Sequence, residues 1–146
     1  MEKRIDLQQV EPLAFKAMYS LEAYLKNTQL SATHKELIKI RASQINGCAF
    51  CLDMHTRDAL SLGVTPQWII LLDAWKETDL YSAEEKVILA LTEHITLISN
   101  GGLPDDVYNR AVDLFGDNYV GQLIMAIVTI NSWNRIAIST RKQPGE

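Results

Sequence analysis

The two cysteines of this 146-residue chain lie in one segment, Cys48-Ala49-Phe50-Cys51, and His55 follows four residues after the second. A Cys-x-x-Cys pair is either a thiol–disulfide pair or half of a metal site. If Cys48 opens a helix, Cys51 lies one turn further along and His55 a turn beyond it, so the three side chains share a face. The N-terminal end of that helix would also stabilise a thiolate at Cys48. The spacing therefore predicts redox chemistry, with a base one turn from a dithiol.

Other uses of a Cys-x-x-Cys motif can be compared with the residues around it. A thioredoxin-type motif follows a strand, whereas residues 38–46 show helical spacing, so that fold is disfavoured. Attachment of c-type haem requires a histidine directly after the second cysteine, and Leu52 occupies that position. Structural zinc could take Cys48, Cys51, His55 and a carboxylate, but zinc ligands usually come in two separated pairs. Haem attachment is thus excluded, and zinc remains an alternative to a redox pair.

Two further side chains could move protons near the cysteines. Cys51 and His55 are four residues apart on one helix, so they can exchange a proton directly or through one water. Glu36 lies twelve residues before Cys48, and two helices that fold back on each other would bring its carboxylate near the motif. Spacing alone, however, is more typical of a surface glutamate at this position. His34 and His94 do not share the phase of the cysteines and receive no role.

The elements that must position these residues are all predicted to be helices. Apolar residues recur at three- and four-residue steps from Leu7 to Lys26, which indicates one amphipathic helix. The ends of the other predicted helices are indicated by residues that commonly start or stop helices: Ser31, Gly47, Gly63, Thr65-Pro66, Ser82-Ala83-Glu84-Glu85, Asn100-Gly101-Gly102, Pro104 and Gly116. We expect about seven short helices, including one from about 82 to 99 and a last one from about 118 to 139. They would form one compact all-α domain over residues 1–146.

The last predicted helix is apolar on nearly every side, between Val120 and Ile136. One small domain seldom buries a helix all round, so part of this surface could contact another subunit. A central core helix would show the same pattern. The sequence leaves both explanations open.

Composition excludes two classes of partner. The net charge is −4 and no long basic cluster occurs, which argues against nucleic acid. The longest apolar stretch, 123–130, is far short of the roughly 20 residues that cross a bilayer. Residues 1–6 lack the apolar core of a signal peptide. We therefore expect a soluble cytoplasmic protein, and in that reducing compartment a close cysteine pair is more often catalytic or metal-binding than structural.

The combination of Glu36, Cys48, Cys51 and His55 resembles the signature of a known family. Their spacing, Glu-x11-Cys-x2-Cys-x3-His, is similar to that of the AhpD-like alkylhydroperoxidases of the carboxymuconolactone decarboxylase superfamily. The likeness covers about residues 10–140, and its most similar segments are 41–56, 83–96 and 130–135.

That resemblance implies an all-helical fold and a cysteine-based peroxidase that assembles into trimers or hexamers. By similarity Cys51 is the peroxidatic thiol, Cys48 resolves it, and His55 and Glu36 form a proton relay. Phe50 is a departure, because some relatives carry a histidine between the cysteines, and a relay step that needs it would be lost. Decarboxylase branches lack the cysteine pair, so its presence argues against lactone decarboxylation.

Two hypotheses of different classes follow. The first is a thiol peroxidase that reduces hydroperoxides, with electrons from an external dithiol or disulfide reductase and no flavin, nicotinamide or metal cofactor. The second is a non-peroxidatic dithiol oxidoreductase, redox sensor or metal-binding module that uses the same helix. Under the first, we expect Cys48 to lie nearer to solvent and Cys51 a turn deeper, beside an apolar pocket lined by residues such as Ile45 or Trp133.

Overall fold

The computed structural model describes Glu2 and residues 4–145, while Met1, Lys3 and Glu146 lie outside the described residues. Across the described residues the chain forms α-helices, one 3-10 helix and no strand, which confirms the predicted all-α class. The helices are α1 (Leu7–Val10), α2 (Pro12–Lys26), α3 (Ala32–Asn46), α4 (Ala49–Ser61), α5 (Pro66–Ile70), the 3-10 helix (Leu71–Glu77), α6 (Ala83–Thr96) and α7 (Asp105–Thr140).

Side-chain caps determine where several helices begin. Ser31 accepts a hydrogen bond from a first-turn N–H of α3, and Thr65 does the same for α5, whose first residue is Pro66. Ser82 and Glu85 form a reciprocal capping box at the start of α6. These three predicted starts are confirmed, because each depends only on residues within one turn.

Two predicted boundaries are wrong. The helix expected from Leu7 to Lys26 is divided at Glu11, whose φ of −135° is not helical. Pro12 causes this break, since a proline pushes the residue before it out of the helical region. The helix expected to reach residue 99 ends at Thr96. The helix predicted to start after Pro104 and to stop at Gly116 is confirmed, because α7 begins at Asp105 and Gly116, with φ 77° and ψ 161°, divides it into two helical parts.

The core lies between α3, α6 and α7, which pack against one another, and α4 packs on α3 and α7. Each of the three central helices contributes side chains that are almost fully buried: Leu37, Ile38 and Ile40; Ile88, Leu89 and Leu91; and Leu123, Ile127 and Ile130. Burial of apolar side chains of this size is the main favourable contribution to folding. The helix that carries the cysteines is therefore held directly against the centre of the domain.

A partly buried ionic cluster attaches the 3-10 helix to α3 and α6. Glu93 accepts hydrogen bonds from Arg41 Nη2 at 2.9 Å and from Trp75 Nε1 at 2.8 Å, and Lys76 Nζ lies 3.1 Å from its other oxygen. Burial by itself would raise the pKa of Glu93, but the hydrogen bonds from Trp75, Arg41 and Lys76 outweigh it and lower the pKa. The carboxylate therefore stays ionised and holds the three elements together.

Most of the apolar surface of α7 is used by the core of this one chain. Val120, Leu123 and Ile127 are buried, whereas Val128 and Ile138 remain more than 40% exposed. A position in the core of the domain thus explains most of the apolar pattern of this helix. None of the described helices is both long enough and apolar enough to cross a bilayer.

Candidate active site

The turn between α3 and α4 positions the cysteine pair. Gly47 ends α3 in the left-handed conformation, with φ 70°, which glycine adopts without strain. Cys48 is then the N-cap of α4, where its sulfur accepts a hydrogen bond from the N–H of Cys51 at 3.4 Å. The two sulfurs are joined as a disulfide. The prediction that Cys48 opens a helix, with Cys51 and His55 on its successive turns, is confirmed.

A network of amides fixes the end of α3, next to this turn, to α7. Asn46 Nδ2 donates to Asn131 Oδ1 at 3.0 Å and to Asn134 Oδ1 at 2.9 Å. Asn134 in turn donates to Ser43 Oγ at 2.9 Å. Buried amides of this kind are costly unless they are hydrogen-bonded, so the network specifies one arrangement of the two helices. This explains structurally why residues 130–135 accompany the cysteine motif.

Both cysteines are buried, with 1% of each residue exposed. The expectation that Cys48 lies nearer to solvent is therefore wrong. Ala137 of α7 and Phe50 pack against the pair and cover it. What distinguishes the two cysteines is access to a cavity, because Cys51 lines it and Cys48 does not.

His55 and Glu36 form a buried pair across α3 and α4. Nδ1 of His55 lies 3.0 Å from Oε2 of Glu36, and the two residues are only 5% and 8% exposed. Glu36 is thus not the surface glutamate that its spacing alone favoured. An ionised carboxylate only accepts hydrogen bonds, so the proton of a neutral His55 resides on Nδ1 and Nε2 is left as the basic nitrogen. Lys39 Nζ lies 3.6 Å from Oε1 of Glu36 and pairs with the carboxylate on the side away from His55 Nδ1.

A cavity of about 480 Å³ opens beside Cys51 and His55. Trp133 lines it as expected, while Ile45 does not. The indole of Trp133 donates to Glu22 Oε1 at 3.0 Å and packs edge-on against the ring of Phe15, with ring centroids 5.2 Å apart. Trp68 and Trp75, by contrast, are buried in the core.

Sequence reasoning missed one wall of this cavity. Residues 4–8 and the α2 side chains Phe15 and Tyr19 line it, although they lie at least 29 residues before the cysteines. No motif marks them, and apolar residues on an amphipathic helix are ordinary. Asp58 is exposed, but it also borders the cavity, with Oδ2 3.8 Å from His55 Nδ1.

The structure offers one group of possible metal ligands among its described residues. Glu36, His55 and Asp58 each present one ligand atom, and these atoms all lie within 4.8 Å of one another. A divalent cation there would have to break the hydrogen bond between His55 and Glu36. Neither cysteine belongs to the group, so it differs from the zinc site considered from the sequence. The expectation that no metal is needed stays a prediction.

Comparison with known proteins agrees with this geometry. The family model of the carboxymuconolactone decarboxylase family matches residues 12–94, which include the cysteine turn and the glutamate–histidine pair. The chain belongs to the carboxymuconolactone decarboxylase family. A curated relative, the uncharacterized protein YdfG of Bacillus subtilis, is 47% identical over 139 residues, and the match covers 95% of each chain.

Two solved structures place the chain more closely within the family. One is a protein of unknown function from Agrobacterium tumefaciens, provisionally assigned as the antioxidant defence protein AhpD. It is 39% identical with a TM-score of 0.95, and the match covers 99% of both chains. The other is an uncharacterized peroxidase-related protein from Silicibacter sp. TM1040, 27% identical with a TM-score of 0.77, which covers 90% of this chain and 69% of that one. The protein is therefore an AhpD-like member of the family, as its sequence signature indicated.

Proposed function

We propose that this protein is a thiol peroxidase that reduces organic hydroperoxides through a Cys48/Cys51 dithiol–disulfide cycle. The observation that carries the proposal is that Cys51 and His55 line the same cavity, while Cys48 lies within disulfide distance of Cys51. Glu36 supports it by holding the proton of neutral His55 on Nδ1. An antioxidant role would also suit the AhpD-like and peroxidase-related proteins to which the chain is similar.

The first half of the cycle consumes the peroxide. His55 takes the proton of the Cys51 thiol, and the thiolate attacks the terminal oxygen of ROOH. An S–O bond forms as the O–O bond breaks, which leaves sulfenic acid on Cys51 and an alkoxide. The imidazolium of His55 returns its proton to the alkoxide, which leaves as the alcohol ROH. The cysteine sulfur has been oxidised by two electrons and the peroxide reduced by two.

The second half restores the dithiol. The sulfur of Cys48 attacks that of Cys51, and hydroxide leaves with the Cys48 proton as water. The resulting disulfide protects Cys51 from oxidation to sulfinic acid. An external dithiol or a disulfide reductase then reduces the pair by two exchange steps and is itself oxidised to a disulfide. We place this cycle in the cytoplasm, where such reductants are available.

Peroxide-dependent turnover tests the proposal. Purified protein should consume cumene hydroperoxide in proportion to added dithiothreitol, and one equivalent of peroxide should convert the reduced pair to the Cys48–Cys51 disulfide seen by mass spectrometry. Protein that exchanges with disulfides but never turns over hydroperoxide would favour the dithiol oxidoreductase or sensor. Metal analysis of the protein as purified checks the remaining alternative. Stoichiometric metal, whose loss unfolds the protein, would identify a metal-binding module.

We also propose that the protein is a homo-oligomer, with a trimer or hexamer favoured by the family resemblance. Apolar side chains of the N-terminal region support this, since Ile5, Val10 and Leu13 are all more than half exposed and Leu13 reaches 78%. Adjacent exposed apolar residues commonly mark protein interfaces. Light scattering at micromolar concentration should give three or six times the 16.5 kDa of one chain. A single 16.5 kDa species at that concentration would contradict the proposal.

A further inference from the structure

The cavity beside Cys51 collects positive charge, although the chain as a whole has a net charge of −4. Five basic side chains line it, Lys39 and a group of four, namely Arg4, Lys26, Arg141 and Lys142. No carboxylate among the described residues forms an ion pair with any of these four. An acidic protein would be expected to neutralise neighbouring cations, so their concentration at one cavity needs an explanation.

The acidic residues that line the same cavity already have other partners. Asp6 caps α1 by accepting the N–H of Gln8 at 2.9 Å. Glu22 accepts the indole N–H of Trp133, and Asp58 lies beside His55. A fifth cation of the lining, Lys39, is paired with glutamates, at 3.6 Å from Glu36 and 4.0 Å from Glu22. The acidic residues of the cavity are therefore not available to the four cations, which could bind a negatively charged ligand.

Three of these cations lie near the C-terminal end of α7. Arg4 donates to the carbonyl oxygen of Ser139 at 2.8 Å, and Arg141 donates to the carbonyl oxygen of Glu2 at 3.3 Å. Each guanidinium has five N–H donors, so both keep donors for a ligand. Lys142 Nζ lies 4.6 Å from the centre of the Phe50 ring. That ring packs against the cluster that contains Cys48 and Cys51, so Lys142 contacts a side chain that borders the cysteine pair.

Much of the remaining lining is apolar. Phe15, Tyr19, Met54, Trp133 and Ile136 provide rings and aliphatic surface along the cavity. A pocket of this volume with apolar walls and a few charged groups suits an amphipathic organic molecule better than hydrogen peroxide. Its ligand should therefore have an apolar body and a negative charge, as well as the group that reacts with Cys51.

We propose that the substrate is an organic hydroperoxide that carries a carboxylate. Arg4, Arg141 and Lys142 bind the carboxylate, the aromatic wall binds the hydrocarbon body, and the hydroperoxide meets Cys51 and His55. The reaction is the two-electron reduction to the hydroxy acid described above, so this inference rests on the proposed function. Arginine is well suited to the task, because its planar guanidinium binds carboxylates through two parallel hydrogen bonds.

A matched pair of substrates tests this inference without involving the reductant. The para-carboxylate of cumene hydroperoxide and its methyl ester differ in charge but carry the same hydroperoxide. Protein reduced with dithiothreitol and then desalted is mixed with each, and tryptophan fluorescence follows the single turnover. We expect the acid to react about tenfold faster than the ester, since two or three partly exposed charge pairs together contribute about that factor. The preference should shrink as salt is added.

Substitutions then test whether the cations of this cavity cause the preference for the acid over the ester. In Arg4→Gln/Arg141→Gln/Lys142→Gln the ratio of the acid rate to the ester rate should fall to near one, and Lys142→Gln alone should lower it about threefold. Arg110→Gln removes an exposed cation that does not line the cavity and should leave the ratio unchanged. Equal rates for acid and ester in the unmodified protein would overturn the inference but not the peroxidase. An equal loss of preference in Arg110→Gln would overturn the assignment to this cavity. Reaction with neither substrate would contradict the proposed function itself.

Discussion

Cys51→Ser should abolish reaction with hydroperoxide, whereas Cys48→Ser should still consume about one equivalent and then stop. The chain has no third cysteine, so nothing can replace the Cys51 thiolate. Without Cys48, the sulfenic acid on Cys51 has no neighbouring thiol with which to condense. Serine is also a favourable N-cap, so Cys48→Ser should keep α4 intact while removing the resolving sulfur.

Dimedone labelling followed by mass spectrometry separates these outcomes. In Cys48→Ser the label should appear on Cys51 after one equivalent of peroxide, and in Cys51→Ser no label should form. The assignment depends on access to the cavity, because burial does not distinguish the two residues. A sulfenic acid trapped on Cys48 in Cys51→Ser, formed as fast as oxidation of the unmodified protein, would show that the two roles are reversed.

The sequence predicted those parts of the fold that depend on local interactions. Ser31, Thr65 and the Ser82/Glu85 capping box start helices through bonds within one turn, so they could be recognised without tertiary information. The division at Glu11 was also encoded locally, by Pro12, but the continuous apolar pattern concealed it. The exposure of α7 could not be predicted, because it depends on which helices pack around it.

The site shows the same distinction between local and long-range information. Cys51 and His55 share one helix, and helical periodicity alone placed them on one face. Glu36 reaches His55 only because α3 and α4 fold back on each other, so its spacing suggested a surface residue. The burial of Cys48 depends on Ala137, nearly ninety residues later, which no motif near the cysteines could indicate. The cationic side of the cavity combines residues from both ends of the chain.

His55→Asn should slow the reaction with peroxide by about 10² to 10³, within the range usual for the loss of a general acid–base group. The variant loses both the base that ionises Cys51 and the acid that protonates the departing alkoxide. Glu36→Gln should cost less, about tenfold, because Glu36 acts on the reaction only through His55. Glutamine keeps a hydrogen-bonding group at this position but removes the charge that stabilises the imidazolium. Single-turnover rates with cumene hydroperoxide measure both effects.

The pH dependence separates this chemical role from a structural one. In His55→Asn the rate should rise between about pH 7 and 9.5, because hydroxide then ionises a thiol whose ordinary pKa is about 8.5. A loss caused by misfolding would not recover in this way. His94→Asn changes a histidine on α6 that does not line the cavity and should keep the original rate. Two results would contradict this role: an equal loss of rate in His94→Asn, or a His55→Asn rate that stays flat across this pH range. Either would mean that His55 only supports the packing of α4 on α3 and transfers no proton.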